Sequence, residues 1–267
     1  MMFLRKKKRK LTRIPKDRLL IRATVQTDTG CVRENNEDNA AFLFLEGSKT
    51  DFLAILADGM GGYERGEVAS AIMVDTFCSD NGQTLGKKPK QWLSGLLNKA
   101  NSLIYEQSQQ LQSVMGTTCT TLLIRDRKIY CAHIGDSRMY LLAGDIFRQV
   151  TCDHTIVMEL LKKGQITAEE AAIHPQRNLL TKAAGTKPHI TPDVFKIKFP
   201  IRVGNRFLLC SDGLYDLVTD VEIHQHLAME SIREAAASLI ALAKERGGYD
   251  NITVAIVEIN EKTDTEE

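Results

Sequence analysis

No hydrophobic run in this chain approaches the roughly 18 residues that a membrane-spanning helix needs, so a helical bilayer span is not expected. The basic N-terminus is not followed by an apolar stretch, which argues against a secretory signal. Six cysteines (Cys31, Cys78, Cys119, Cys131, Cys152 and Cys210) include no C-x-x-C pair, and several lie inside apolar runs such as "TTCTTLLI" and "FLLCSDG". They read as reduced, mostly buried core residues of a cytoplasmic protein, not as zinc ligands. His133, His174, His189, His224 and His226 show no ligand spacing. Tryptophan occurs once, and Trp92 is expected to anchor an amphipathic helix. There is no internal repeat and no linker after residue 20, so one domain is the simplest account.

What the chain does have is an ordinary globular composition, 43% hydrophobic and 26% charged. Its net charge of +1 hides an asymmetry: residues 1–20 hold nine Lys or Arg and one Asp, a net +8, which leaves the remainder at −7. "RKKKRKLTR" is a like-charge run, expected to be a solvated, flexible lead-in. The sharper reading makes residues 5–18 a weak electrostatic tether to an anionic surface, lipid or nucleic acid.

From residue 21 the texture is that of a folded domain, expected to run to residue 259 and to be followed by a polar tail at 260–267. "LLIRATVQT", "NAAFLFLE" and "DFLAILADG" read as strands. "GEVASAIMVDTFCSD" and "WLSGLLNKANSLIYEQSQQLQ" read as helices. Three further β-type runs follow, "GTTCTTLLIRD", "KIYCAHIGDSRMYLLA" and "IFRQVT", with hairpin turns at "RDRK" and "AGD". Residues 155–190 read as two short helices and a long irregular loop, a length often tied to function. Two strands, two helices and a closing strand, "NITVAIVEIN", complete the chain. Clustered strands and separated helix pairs predict an α+β protein.

Acidic residues punctuate the ends of these elements. Glu37-Asp38 lies in "TGCVRENNEDN", four residues after Arg33. Asp58-Gly59 closes an apolar strand before a Gly-rich turn in "LADGMGG", where a carboxylate and a carbonyl could both face a cation. Asp136 sits at a turn in "HIGDSRMYL". Asp212 and Asp216, in "LLCSDGLYDLV", would share a face if the chain is helical there. Asp250-Asn251 stands at the mouth of the last strand. Carboxylates without Cys or His suit a hard divalent cation, Mg²⁺ or Mn²⁺. Singly, each motif is an ordinary turn or helix cap; jointly they predict a two-metal hydrolase.

In this order "NNEDN", "ADGMGG", "GDSR", "SDGL" and "DNITV" resemble the motifs of the metal-dependent Ser/Thr protein phosphatases, type 2C (PPM), in their compact bacterial form. "GTTCTTLLI" and "TCDHT" also look like family segments. The resemblance implies a sandwich of two antiparallel β-sheets flanked by α-helices on both sides. It implies two Mn²⁺ or Mg²⁺ per active site, with Asp58 bridging, Asp212 and Asp250 on one ion, and Glu37 and the Gly59 carbonyl on the other. Asp38 would assist as a ligand or through a bound water, and Arg33 would grip the phosphate. Asp136 with Asp212 and Asp216 would hold a weaker third ion. Segment 155–190 falls where relatives carry a flap, and Asn251 is expected to orient the loop around Asp250. Met60 replaces the histidine that some relatives carry as a general acid, which leaves a water near Asp136 or, second, His154 as the proton source. The expected activity is hydrolysis of phosphoserine and phosphothreonine in proteins, opposing a Ser/Thr kinase, by a monomer. An alternative is a catalytically dead phosphoprotein-binding adaptor, which loss of a core carboxylate would mark; all of them are present.

Overall fold

The computed structural model describes residue 14 and residues 18–61 and 65–262. In chain order the elements are β1 (Leu19–Asp28), β2 (Asp38–Phe44), β3 (Phe52–Gly61), α1 (Gly66–Asp80), α2 (Pro89–Leu111), β4 (Met115–Thr117), β5 (Cys119–Arg125), β6 (Lys128–Ile134), β7 (Arg138–Ala143) and β8 (Ile146–Gln149). There follow α3 (Ile156–Lys162), α4 (Ala168–Ala172), β9 (Asp193–Ile197), β10 (Arg206–Cys210), α5 (Asp212–Tyr215), α6 (Asp220–Leu227), α7 (Ile232–Glu245) and β11 (Ile252–Glu261). One sheet has the order β1-β11-β10-β7-β8; the other runs β2-β3-β5-β6-β9, with β4 paired to β3. The pairings are antiparallel.

The period of two along a strand explains the layers. In β3, Phe52, Ala54 and Leu56 face the core between the sheets, while Leu53, Ile55 and Ala57 pack under α1 and α2. In β11, Ala255, Val257 and Ile259 enter the same central core, and Val254 and Ile256 pack under the C-terminal helices. Strands covered on both faces need apolar residues at every position, which is why these runs do not alternate. The result is the expected two-sheet sandwich with helices on both sides. Trp92 anchors α2 as expected: its Nε1 donates to Asp80 Oδ1 at 2.8 Å and its ring meets Phe77 edge-on. Cys119, Cys131 and Cys210 are buried and every cysteine is free, although Cys31 is exposed.

Several expected boundaries move. The strand ending at Asp58 in fact continues to Gly61, because Met115–Thr117 supplies a ladder partner for Gly59–Gly61. "KIYCAHIGDSRMYLLA" is two strands in different sheets, with Gly135-Asp136-Ser137 crossing between them. A domain start at residue 21 falls inside β1, whose Leu19 pairs with Glu261, and Ile14 is buried in the central core. The same pairing draws Asn260 and Glu261 out of the expected polar tail. Residues 1–13 and 15–17, and so most of the expected tether, lie outside the described residues, as do residues 263–267.

Candidate metal centre

The acidic motifs converge where the two sheets meet at one end. Asp38 and Asp58 stand directly opposite each other in the β2–β3 register. The backbone of Asp58 is held on both sides by the next hairpin: its N–H donates to Thr118 Oγ1 at 2.9 Å, and its carbonyl accepts from Thr118 N and Thr117 Oγ1, each at 2.9 Å. Ser211 Oγ, from the other sheet, donates to Asp38 Oδ2 at 2.7 Å and accepts the Thr253 amide at 3.0 Å. Asp212 follows as the first residue of α5, and the amide of Asp216 donates to its carbonyl at 2.9 Å.

Glu37 is set by backbone proximity. Its carbonyl accepts the Gly59 amide at 3.1 Å, and its Oε1 accepts the Gly66 amide at 3.0 Å, at the N-terminus of α1. A Cβ on Gly59 would lie 2.2 Å from the Gly66 carbonyl oxygen and 2.5 Å from that of Glu37. Only glycine permits three backbone segments to cross this closely.

Electrostatics mark the cluster. Burial, then the charges of Asp38, Asp212, Asp136 and Asp250, holds Asp58 well above the usual carboxylate range. Burial, then Asp136, Asp250, Asp216 and Asp38, does the same to Asp212. Burial pushes Asp38 up to about 6 despite hydrogen bonds from Ser211 and Thr253. Burial and Asp153 push Asp136 to about 7. Burial also raises Glu37. No basic side chain is among the leading influences on Asp58 or Asp212. Like charges gathered out of water need a counter-charge, and an all-oxygen donor set suits Mg²⁺ or Mn²⁺. Among the described residues no three His, Cys, Asp or Glu side chains are grouped so that they could hold a metal ion by themselves. That is compatible with an ion that keeps several waters and takes few protein ligands.

Arg33 and Asp250, assigned to phosphate and cation respectively, hold each other: Arg33 Nη2 donates to Asp250 Oδ2 at 2.7 Å. Across the site, Arg177 and Asn178 donate to Asp216 Oδ2 at 3.4 and 3.3 Å. A cavity of about 450 Å³ lies beneath this segment, lined in part by Arg138, Asp153, Tyr215 and Asp216. The segment's two stems join at the Thr155–Leu180 bridge, and residues 183–188 are tied to β4 and to Asn101 of α2. Of the segment 155–190 expected as a flap, the ends at Thr155–Leu180 and at 183–188 are thus tied to the rest of the fold.

A family model described as "Protein phosphatase 2C" matches residues 30–250. The chain belongs to the protein phosphatase 2C family. It is 36% identical over 245 residues to the serine/threonine phosphatase stp of Listeria innocua, covering 89% of this chain and 96% of that one. It is 37% identical over 241 residues to the protein phosphatase PhpP of Streptococcus pneumoniae, covering 88% and 96%. The crystal structure of the PstP catalytic domain in complex with two manganese ions superposes with a TM-score of 0.80 at 35% identity, covering 91% of this chain and 99% of that one. With the family comes the activity read from the motifs, metal-dependent dephosphorylation of serine and threonine in proteins.

Some residues that shape this 2C phosphatase site were missed as contributors by reasoning from sequence. Ser211 and Thr253 touch Asp38, and Thr117 and Thr118 hold Asp58. A small hydroxyl residue beside a motif gives no signal of its own, although "SDG" and "GTT" place them there. Asn251 does more than orient Asp250. Its Nδ2 donates to Thr29 O at 3.0 Å and Asn35 O at 2.8 Å, and its Oδ1 accepts the Glu37 amide. His154 is a brace: its Nδ1 accepts the Gly135 amide at 3.1 Å and its Nε2 lies 3.4 Å from Asp193. Burial and Lys182 hold its imidazole toward the neutral form.

Proposed function

We propose that this phosphatase holds two divalent cations, Mn²⁺ or Mg²⁺, on Asp58, Glu37, the Gly59 carbonyl, Asp212 and Asp250, with Asp38 assisting. The observation that carries this reading is Asp58, half-buried and facing the charges of four other aspartates. Such ions supply Lewis acidity, making water nucleophilic at neutral pH and drawing charge off the phosphoryl group. Arg33, an always-charged planar fork, binds the phosphate oxygens. Its partner Asp250 keeps the guanidinium at the mouth of the site. Asp136, with Asp212 and Asp216, holds a weaker third ion. Met60 has no proton to give, so the departing serine or threonine oxygen takes its proton from solvent at Asp136. The bracing contacts of His154 favour a positioning role over an acid role.

The substrates are phosphoproteins made by a Ser/Thr kinase, and the enzyme works as a monomer in the cytoplasm. No helix among the described residues is long and apolar enough to cross a membrane.

The test is phosphate release from a phosphothreonine peptide with Mn²⁺, with Mg²⁺ and with EDTA, beside Asp58→Ala. Metal-dependent release that the substitution abolishes supports the reading. Silence of the folded protein under every metal would overturn it in favour of a phosphoprotein-binding adaptor.

A further inference from the structure

The sheet that carries Asp58 begins with β2, and one side of β2 has no neighbouring strand among the described residues. Glu37 O accepts the Gly59 amide at 3.1 Å, and Leu45 N donates to the Asp51 carbonyl at 3.0 Å. Both bonds continue the β2–β3 register, in which Asp38 faces Asp58 and Phe44 faces Phe52. Bonded and non-bonded pairs alternate in an antiparallel ladder. The odd-numbered residues therefore bond β3, and Asp38, Ala40, Phe42 and Phe44 turn their N–H and C=O groups away from it. Asn36 Oδ1 takes the Asp38 amide at 3.1 Å. The backbone groups of Ala40, Phe42 and Phe44 have no partner among the described residues.

The side chains of these three residues share one face. They stand opposite Leu56, Ala54 and Phe52, which point into the central core. At the edge this face is open, leaving Phe42 41% and Phe44 42% exposed. Both rings lean on the buried Phe52, with centroids 5.9 and 5.3 Å away, which holds them in place. Natural edge strands are commonly short or guarded by a charge. Of the other outer strands, β1 carries Arg22, β9 carries Lys196, and β8 has four residues, Arg148 among them. From Asn39 to Leu45 there is no charged residue and no proline.

We propose that the free edge of β2 is a docking site for an extended apolar segment of the phosphoprotein substrate, which pairs with Ala40, Phe42 and Phe44 as an added strand. The proposal rests on the phosphatase reading. It commits to the substrate because β2 begins at Asp38, inside the candidate metal centre, so the edge leads directly to the site of reaction. Backbone pairing supplies affinity with little demand on sequence, and the two phenylalanine rings favour apolar side chains on one face. Phe42 lies four residues from Asp38, about 13 Å along a strand. The docking segment should therefore stand about four residues or more from the phosphorylated one.

The experiment measures KM and kcat with Mn²⁺ for a short phosphothreonine peptide with polar flanks and for two longer ones. Each longer peptide adds a Val-Thr-Val-Thr-Val segment through a Ser/Gly spacer, one before the phosphothreonine and one after it. One of the two should show a KM about tenfold lower than the short peptide, with kcat unchanged, the gain expected of a few net hydrogen bonds and cross-strand contacts. N-methylating alternate residues of the segment should abolish that gain in one phase of the alternation and spare it in the other. Phe42→Lys should lose the gain while keeping kcat/KM on the short peptide within about twofold; if it damages the fold, Phe44→Lys is held to the same standard. No gain for either longer peptide, or a gain that survives both N-methylation phases or both lysine variants, overturns the proposal. A parent that elutes as a dimer, with Phe42→Lys a monomer, would give the edge to a second copy of the chain and also overturn it. Failure of the underlying reading looks different: the parent with Mn²⁺ releases phosphate from none of the peptides nor from p-nitrophenyl phosphate.

Discussion

The Oδ1 of Asn251 accepts the amide of Glu37 at 2.8 Å, joining residues 214 apart in the chain. The same side chain's Nδ2 holds the carbonyls of Thr29 and Asn35, so one asparagine fixes the loop that carries Arg33 and ends at Glu37. Asn251→Ala removes three hydrogen bonds at about 0.5–1.5 kcal/mol each. The expected loss is about 2–4 kcal/mol in urea denaturation. Mn²⁺ affinity, measured by calorimetry, should fall by about tenfold or more, the usual cost of losing a partner behind the ligands.

Asp58 opposes the fold when no counter-charge is present. Asp58→Asn should therefore raise the melting temperature of the EDTA-treated protein at pH 8, while abolishing phosphate release. It should also shrink the thermal shift produced by Mn²⁺. A metal-free Asp58→Asn protein melting below the parent would contradict the charge repulsion described above.

The pH dependence has a definite sign. Folded-state values are raised for Asp38, to about 6, and for Asp136, to about 7, both from 3.8. Between the unfolded and folded values the native state binds more protons, so its stability falls as pH rises. Metal-free protein should lose melting temperature steadily from about pH 4 to pH 7. Saturating Mn²⁺ should flatten that slope, because the cation takes the proton's place. Thermal scans in EDTA and in Mn²⁺ at several pH values check both halves.

At Gly59 the constraint is steric. Gly59→Ala places a Cβ 2.2 Å from one backbone oxygen and 2.5 Å from another. Neither is a flexible side-chain end, so the loss of stability should reach about 3 kcal/mol, the upper range for overpacking. Gly86→Ala is the control: a Cβ there meets nothing within 4 Å, and its midpoint in urea should stay close to the parent's.

The periodicity of "DFLAILADG" and "NITVAIVEIN" was enough to predict strands, because strands buried on both faces need unbroken apolar runs. Asp38, Asp58, Asp136, Asp212 and Asp250 were legible only jointly, by their order along the chain, because singly each is an ordinary turn or cap residue. Other features depended on contacts that no local pattern encodes. The continuation of β3 beyond Asp58 needs β4, which lies over fifty residues away in sequence. The pairing of Leu19 with Glu261 moved both ends of the domain. The roles of Ser211, Thr118 and Asn251 are hydrogen bonds across the sheets and between loops. The sequence by itself determined which side chains carry the charge and which runs are strands, since those follow from residue type and spacing. Only the tertiary structure decided which carboxylates feel one another and that Arg33 grips Asp250, since these depend on distances between segments remote along the chain.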